Sequence, residues 1–200
     1  MVAWHTHPFV SGILVVSEHS RIGMAAEAAA SFNAQDWPVK ELVIVNGTGR
    51  SLRCENATEI LFTTCPWNYT ELLNIALNAT RGEWCAILTD DAWYAPQYVR
   101  EQMKQPDPAA VSVVVDTLVH YLNTGKQEHV RRWELASVLF YRRACIRFVH
   151  PFSVQTFLRT FTRQRLVESS SPIVTKFLHE PSRHDSSAVH EGISTAAPTA

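Results

Sequence analysis

Short apolar runs alternate with helical segments along most of this chain, and no other feature of the sequence constrains the fold as strongly. Runs typical of buried strands occupy residues 11–17, 41–45, 59–63, 84–89, 111–119 and 136–141. Helices are predicted over residues 21–34, 69–80, 96–104 and 152–166. Alternation of this kind predicts an α/β fold, with a mostly parallel central sheet and helices on both faces.

Two of the predicted helices carry an apolar stripe at three- and four-residue spacing, which we interpret as core. The stripe of the first helix consists of Ala25, Ala28, Ala29 and Phe32, and that of the second of Leu73, Ala76, Leu77 and Thr80. Asn68 and Glu71 have the spacing of a capping box at the start of the second helix, and Gly82 is predicted to end it.

The composition is typical of a single globular domain. Hydrophobic residues make up 46% of the chain and charged residues 18%, and no apolar run approaches the roughly 20 residues that span a bilayer. Without a signal pattern at the N-terminus, a cytoplasmic location is expected. We predict one domain over residues 1–180 and a disordered tail over residues 181–200, which are rich in Ser, Ala, His, Thr and Pro.

The four cysteines give no indication of a zinc site or a disulfide framework. Cys54, Cys65, Cys85 and Cys145 are widely spaced and form no Cys-x-x-Cys pair. Cys85 and Cys145 lie in apolar, strand-like runs, so free buried thiols are predicted, in agreement with a reducing compartment.

Two adjacent carboxylates, Asp90 and Asp91, follow the apolar run at residues 84–89. Carboxylates at the end of a buried strand repel each other and lose hydration, and a divalent cation such as Mg²⁺ or Mn²⁺ compensates both effects. The alternative is a turn with two solvated Asp side chains. Because ligands of open α/β sheets bind at the carboxyl ends of the strands, the loops at residues 17–21, 46–50 and 89–93 are expected to meet.

The order of these segments resembles that of GT-A glycosyltransferases of the family 2 type, which use nucleotide-activated sugars. The resemblance extends over roughly residues 10–180 and places a strand and polar loop first, then a strand with a polar end, a helix, the aspartate strand and an aromatic helix start. The corresponding segments are residues 13–21, 41–49, 74–82, 84–91 and 93–98, followed by a strand at 111–116 and a turn at 123–126.

The resemblance implies a metal-dependent transferase, with a UDP-sugar as the predicted donor. It implies that the first two loops hold the nucleoside, and the residues assigned to the donor are Ser17, Glu18, Arg21, Asn46, Thr48 and Asp90. Asp91 is the implied direct ligand of Mn²⁺ or Mg²⁺, although the roles of Asp90 and Asp91 are exchangeable. Near the C-terminus, His179 and His184 are candidates to close over the metal, and solvated side chains are the alternative.

Three departures from the family pattern concern the chemistry. The usual Asp-x-Asp reads Thr89-Asp90-Asp91, and an amide, Asn46, stands where an Asp commonly faces the base. Residues 152–157, where inverting members carry the acid that deprotonates the acceptor, contain no carboxylate. The predicted base is therefore His150, with Asp116 and Glu134 as alternatives. A retaining mechanism and an inactive relative also remain open.

Charge is distributed unevenly along the chain. Residues 1–125 hold 7 Lys/Arg and 13 Asp/Glu, whereas residues 126–165 hold 9 and 2. Arginines of this basic block alternate with Trp133, Phe140, Tyr141, Phe148 and Phe157, a composition that suits phosphates or stacked bases. The alternative is a solvated face that balances the acidic region.

Two classes of function follow. The first is a glycosyltransferase that modifies a hydroxyl acceptor, either a hydroxylated base in DNA, as in bacteriophage enzymes, or a polysaccharide precursor. The second is a catalytically inactive module that binds nucleotide sugars or nucleic acid. Turnover of UDP-sugars separates the two classes.

Overall fold

A computed structural model of the chain describes residues 7–64, 68–131, 138–144, 147–149, 154–161, 163–168 and 172–178. In chain order the strands are β1 (Val10–Val16), β2 (Lys40–Asn46), β3 (Ala57–Leu61), β4 (Trp84–Leu88), β5 (Ala92–Tyr94), β6 (Ala110–Val114), β7 (Asp116–Tyr121), β8 (Gln127–Arg131), β9 (Val138–Tyr141), β10 (Arg163–Val167) and β11 (Val174–Leu178). The α-helices are α1 (Ile22–Asn33), α2 (Tyr69–Ala79), α3 (Tyr98–Gln102) and α4 (Val154–Leu158), and 3-10 helices span His19–Arg21 and Arg142–Ala144.

The larger sheet has seven strands in the order β10-β6-β9-β4-β1-β2-β3. All neighbouring strands are parallel except β9, which runs antiparallel to both β4 and β6. We call the edge where β1, β2 and β4 begin the amino edge and the edge where they end the carboxyl edge. The predicted α/β class with a mostly parallel sheet is confirmed.

Helices α1 and α2 cover opposite faces of this sheet. The apolar stripe of α1 packs with Leu14 and Val16, whereas Leu72, Leu73 and the other buried residues of α2 pack with Ile13 and Val15. Successive side chains of a strand point to opposite faces, so β1 is buried on both of them. The ring of Phe32 lies so close to β1 that a Cβ at Gly12 would come within 2.7 Å of it.

A second sheet of four strands, in the order β5-β11-β7-β8, lies next to the carboxyl edge. Strand β11 pairs antiparallel with β5 and parallel with β7. A single strand was predicted over residues 111–119, and this is wrong, because the chain leaves the larger sheet at Val115 and enters the second as β7. The apolar run is continuous in sequence because both strands are buried, which hides the change of sheet.

The helix predicted over residues 152–166 is also wrong in its second half. Helix α4 ends at Leu158, and Arg163–Val167 forms β10, which pairs in parallel with β6. Buried Phe157, Leu158 and Phe161 have helical spacing and misled the prediction. The helix predicted over residues 96–104 is shortened to α3, and β5 was missed because three residues carry too little periodicity.

Both ends of α2 were predicted to within one residue, but the role assigned to Gly82 was not correct. The Asn68 side chain accepts a hydrogen bond from Glu71 N, and the Glu71 side chain accepts one from Asn68 N, so the capping box is confirmed. The helix ends at Ala79, and its C-cap is Thr80, so the assignment of Gly82 as the residue that ends it is wrong. Gly82 is needed for another reason: a Cβ there would lie 2.5 Å from Ser11 Oγ and 2.7 Å from Ser11 N.

The amino edge is held together by the carboxylate of Glu41. Its Oε1 accepts hydrogen bonds from Ser11 Oγ at 2.6 Å and from Arg81 N at 2.6 Å, and Oε2 accepts one from Arg81 Nε at 2.8 Å. Ser11 Oγ in turn accepts from Gly82 N at 2.8 Å. Burial raises the pKa of Glu41, but the hydrogen bonds from Ser11 and Arg81 outweigh it and hold that pKa below its ordinary value.

Several sequence predictions concern residues outside the described ranges, among them Cys65, Cys145 and the tail. Cys54 and Cys85 are free thiols, and Cys85 is buried as predicted. Within the described ranges, no helix has the length and apolar character needed to cross a membrane.

Candidate functional site

The three loops predicted to meet do lie at the carboxyl edge. Strand β1 pairs in register with β2 from Val10 opposite Lys40 to Val16 opposite Asn46, and Leu14 lies opposite Leu88 of β4. The chain therefore enters all three loops at neighbouring points of the sheet. Ser17 and Glu18 are exposed, whereas Asp90 and Asp91 are each only 8% exposed.

Arg21 joins the first loop to both aspartates. Its Nη1 donates to Asp90 Oδ1 at 3.1 Å and lies 3.8 Å from Asp91 Oδ2, and its Nε lies 3.2 Å from Glu18 Oε2. The 3-10 helix at His19–Arg21 turns the chain so that Arg21 faces the aspartates at the start of α1. Three residues predicted to act on the donor are thus in contact with one another.

Asp91 is held through its backbone, while its side chain is only partly satisfied. Phe177 N donates to Asp91 O at 2.8 Å, and Lys176 Nζ lies 3.8 Å from Asp91 Oδ2. Asp91 Oδ1 is buried and has no hydrogen-bond partner among the residues that the structure describes. Buried polar atoms are nearly always paired, so an unpaired carboxylate oxygen indicates a partner from outside the protein.

The residues present fit a divalent cation that the donor helps to hold. Mg²⁺ is commonly bound by one or two carboxylates together with substrate phosphates, and Asp90 and Asp91 supply two hard oxygen ligands. No group of three or more His, Cys, Asp or Glu side chains suited to a metal occurs in the described part of the chain. His179 and His184 lie outside that part, so their predicted role stays a prediction.

The aspartate pair is electrostatically costly. Burial raises the pKa of Asp90, and the hydrogen bond and charge of Arg21 oppose this only in part. For Arg21, burial lowers the pKa, but the hydrogen bond and charge of Asp90 outweigh it, so the guanidinium pKa is raised. The site therefore keeps mutually stabilising opposite charges at a place shielded from water.

Asn46 is engaged within its own loop. Its Nδ2 donates to Arg50 O and to Glu59 Oε1, both at 2.7 Å, and its Oδ1 accepts from Thr48 N at 2.9 Å and from Thr48 Oγ1 at 2.7 Å. The residue is fully buried. A contact between this amide and a base would require one of these bonds to break, so the geometry favours a loop-shaping role for Asn46.

Sequence reasoning missed three residues near these loops. Glu59 accepts from Asn46, Ser51 Oγ and Leu52 N, which orders the second loop. Tyr69, at the first position of α2, has its pKa raised by burial and by the charges of Asp90 and Asp91. Lys176 reaches Asp91 from β11. Each comes from an element distant in sequence, so local patterns carried no signal for it.

Of the proposed bases, only Asp116 is described. Because β9 is antiparallel to both β4 and β6, strand β6 runs in the same direction as β4 and ends at the carboxyl edge. Asp116 follows two residues after Val114, is half-buried and lies opposite Arg131 of β8. His150 and Glu134 lie outside the described residues.

Three of the five rings in the basic block belong to the core rather than to a stacking surface. Phe140, Phe148 and Phe157 are buried and pack on one another, so that interpretation is wrong for these three rings. These three rings are core positions in β9, in α4 and in the segment between them, and they alternate in sequence with arginines.

Several of those arginines have partners in the protein. Arg131 pairs with Glu168, Arg163 with Asp107 at 3.4 Å, and Arg165 Nη2 donates to Ser112 Oγ at 2.9 Å. Arg143 and Arg159 are exposed, whereas Arg132 and Trp133 lie outside the described residues.

Comparison with solved structures shows the same fold in larger proteins. The S. aureus TarS 1–349 structure in complex with UDP-GlcNAc is 15% identical, with a TM-score of 0.62 over 90% of this chain and 61% of that one. The mannosyltransferase PcManGT from Pyrobaculum calidifontis, in complex with GDP-Man and Mn²⁺, is 16% identical, with a TM-score of 0.61 over 88% of this chain and 58% of that one. This chain thus spans about three-fifths of the length of either structure.

Sequence comparison identifies the family. No curated protein sequence matches this chain significantly. The profile of the family described as "Glycosyl transferase family 2" matches residues 14–169, from within β1 to two residues beyond β10. Together with the GT-A architecture this confirms the resemblance found in the sequence, and the chain belongs to glycosyl transferase family 2.

Proposed function

We propose that this protein is a metal-dependent glycosyltransferase that moves a sugar from a nucleotide diphosphate sugar, in the first place a UDP-sugar, to a hydroxyl acceptor. The observation that carries the proposal is the buried, unpaired Oδ1 of Asp91 at the carboxyl edge. A carboxylate oxygen kept in this state suits a hard cation that arrives with the phosphates of a donor. Family membership and the UDP-GlcNAc and GDP-Man complexes of the two larger proteins support a donor of this class.

In the proposed mechanism, Asp90 and Asp91 would hold Mn²⁺ or Mg²⁺, and Arg21 would contact the donor. The bound cation would neutralise the charge that builds on the diphosphate as the bond between sugar and oxygen breaks. The guanidinium of Arg21 carries five N–H donors, of which Asp90 and Glu18 engage only a part, so the group can also reach a phosphate oxygen. Burial of the aspartates strengthens these charge interactions by excluding water.

The nucleoside is assigned to the first two loops. Ser17 and Glu18 are exposed there, and Thr48 is half-buried beside the Asn46 amide. In this proposal Asn46 and Glu59 fix the conformation of residues 46–52, and the exposed edge of that segment receives the base. Asn46 therefore acts through the loop rather than by direct pairing.

The acceptor hydroxyl requires a base, for which His150 is the prediction from sequence. Asp116 is the alternative base, and its position at the carboxyl edge supports this role. Trp93, two residues after Asp91 and 39% exposed, offers an indole face against which a sugar ring can pack. This exposed indole favours a saccharide acceptor over a stacked nucleobase, because three of the rings predicted to stack, Phe140, Phe148 and Phe157, are buried.

Ligand binding followed by turnover tests the proposal. Thermal unfolding and titration calorimetry with UDP, with and without Mn²⁺, are expected to show stabilisation that depends on both ligands. A screen of UDP-glucose, UDP-galactose, UDP-GlcNAc and GDP-mannose is then expected to release nucleotide from at least one donor. Binding without release from any donor, in the presence of saccharide acceptors, would support the inactive binding module instead.

DNA as acceptor makes a separate prediction, since neutralising phosphates releases counterions and gives a steep salt dependence. Replacement of the exposed Arg143 and Arg159 by Gln should flatten that dependence and leave UDP binding unchanged. Absence of binding to single-stranded or duplex DNA at about 50 mM salt would exclude this acceptor. The cytoplasmic location also stays a prediction.

A further inference from the structure

Lys176 approaches the aspartate pair from β11, whereas Arg21 approaches it from the loop before α1. In β11 it lies opposite Ala92 of β5 and opposite Val119 of β7, both of which are buried. Residues opposite each other in neighbouring strands point to the same face, so the aliphatic stem of Lys176 lies between apolar neighbours. The side chain is 20% exposed, and its ammonium reaches the rim of the site at Asp91.

The contact between Lys176 and Asp91 is an ion pair without a hydrogen bond. Lys176 Nζ lies 3.8 Å from Asp91 Oδ2, and Arg21 Nη1 lies at the same distance from the same oxygen. Hydrogen bonds to a carboxylate are about 1 Å shorter, as Arg21 shows toward Asp90 at 3.1 Å. Asp91 is therefore neutralised by two cations, and neither of them is hydrogen-bonded to it.

A divalent cation on Asp91 would change the balance of charge around Lys176. The ammonium then faces a positive ion instead of an anion, and like charges in a shielded site repel strongly. The diphosphate of a donor is the anion that arrives with the cation, and a Lys ammonium is a compact point charge well suited to phosphate oxygens. The long, flexible side chain allows this change of partner without any movement of β11.

We propose that Lys176 is a donor-binding residue that exchanges partners: it neutralises Asp91 before ligands bind, and it binds the donor diphosphate once a divalent cation occupies Asp91. This inference rests on the proposed function. It predicts that Lys176 opposes binding of the cation alone and favours binding of the nucleotide. The two ligands are consequently coupled, because each makes the other bind more tightly, and Lys176 supplies part of that coupling.

The test measures two affinities in matched variants. Mn²⁺ binding without nucleotide is measured by electron paramagnetic resonance, and UDP binding at saturating Mn²⁺ by titration calorimetry. Lys176→Met keeps the length and apolar stem but removes the charge, and Lys176→Arg restores the charge. Lys104→Met is the control, because Lys104 forms an ion pair with Glu101 at the end of α3, away from the aspartate pair.

Removal of the charge should affect the two affinities in opposite directions. Lys176→Met is expected to bind Mn²⁺ alone several-fold more tightly and UDP about tenfold more weakly, the effect of losing one charged hydrogen bond. Lys176→Arg should regain most of the UDP affinity, and Lys104→Met should match the wild type in both measurements. Lys176→Gln replaces the Met variant if the latter does not fold.

Three results would overturn the inference. Unchanged UDP affinity in Lys176→Met, with or without a lower melting temperature, would show that Lys176 only stabilises the fold. A parallel loss of both affinities would show that the variant damages the site rather than the exchange. A wild-type protein that binds neither Mn²⁺ nor UDP would refute the proposed function as well, which separates that failure from the other two.

Discussion

Two sets of buried carboxylates lie at opposite edges of the same sheet, and they are satisfied in different ways. The side chain of Glu41 at the amino edge is 10% exposed, and those of Asp90 and Asp91 at the carboxyl edge are 10% and 11% exposed. Glu41 accepts three hydrogen bonds from Ser11 and Arg81. Asp91, in contrast, has one buried oxygen without a partner in the described part of the chain.

The pKa values follow this difference in partners rather than the burial. The pKa of Glu41 is lowered although burial raises it, because its hydrogen bonds favour the charged form. The pKa of Asp90 is raised, because burial outweighs the single hydrogen bond from Arg21. Equal exposure thus gives a carboxylate that stabilises the fold at one edge and a carboxylate pair available for a ligand at the other.

The largest expected effect comes from Asp91→Asn, which removes the ligand-binding character of the carboxyl edge. A ligand at about 1,000 times its dissociation constant stabilises a protein by about 4 kcal/mol. We expect this stabilisation by UDP and Mn²⁺ to be lost, since an amide is a poor ligand for a hard cation.

Without ligand, Asp91→Asn should unfold near the wild-type temperature, because relief of the repulsion with Asp90 is offset by loss of the ion pairs with Arg21 and Lys176. Thermal unfolding with and without UDP and Mn²⁺ measures both quantities. Retained stabilisation by the ligands would remove Asp91 from the site, and the half-buried Asp107, which pairs with Arg163, provides an Asp→Asn control outside the aspartate pair.

Gly82→Ala is the corresponding change at the amino edge. The added Cβ would lie 2.5 Å from Ser11 Oγ and 2.9 Å from Phe9 O, and the backbone of β1 has little freedom to move. Overpacking of this kind is expected to lower the free energy of unfolding by about 3 kcal/mol. Chemical denaturation measures the loss, and Gly23→Ala, where nothing lies within 4 Å, is the control.

Glu41→Gln should lower the free energy of unfolding by about 2 kcal/mol at neutral pH, the effect of losing a charged acceptor. Because the pKa of Glu41 is lowered in the folded state, its contribution is present above the ordinary value of 4.5 and is lost as the pH falls through the folded pKa. The wild type and Glu41→Gln should therefore converge in stability below pH 4.5. A difference that stays constant down to acid pH would contradict the ionised role of Glu41.

The smallest effect is expected for Asn46→Ala. This variant tests whether Asn46 stabilises the second loop, as Glu41 stabilises the amino edge, or binds the nucleotide directly. Loss of the hydrogen bonds to Glu59 and Thr48 should reduce the free energy of unfolding by about 1.5 kcal/mol. UDP affinity should fall only slightly, because the variant leaves the loop at residues 46–52 less ordered. Full stability together with a large loss of UDP affinity would restore the direct contact between Asn46 and the base.

Local patterns were sufficient to predict the core of the fold. The apolar stripe of α1 and the capping box of Asn68 and Glu71 involve residues within a few positions of each other, and both predictions hold. Failures occurred where tertiary pairing decided the structure. Arg163–Val167 becomes a strand because β6 offers a free edge, and the break at Val115 depends on the second sheet.

The site was predictable only where it lies on consecutive residues. Asp90 and Asp91 follow a buried strand, and Arg21 follows β1. Because the carboxyl ends of parallel strands meet at one edge of a sheet, these residues were correctly predicted to lie together. Lys176 and Glu59 reach the site from other strands through register, which a single sequence does not reveal. The burial of the Asn46 amide likewise depends on Glu59, thirteen positions away.

The pairing of Asp91 with β11 affects the order in which parts of the protein fold. Along the chain, β11 is separated from β5 by three strands of the larger sheet, β6, β9 and β10, and by β7 and β8. The bond from Phe177 N to Asp91 O therefore closes one of the longest loops of the chain. Long-range pairings of this type form late in folding. During synthesis on a ribosome the sheet can assemble before residues 172–178 emerge. The bond between Phe177 and Asp91 can form only after that point. A nascent chain would therefore acquire its stability first and its binding site last.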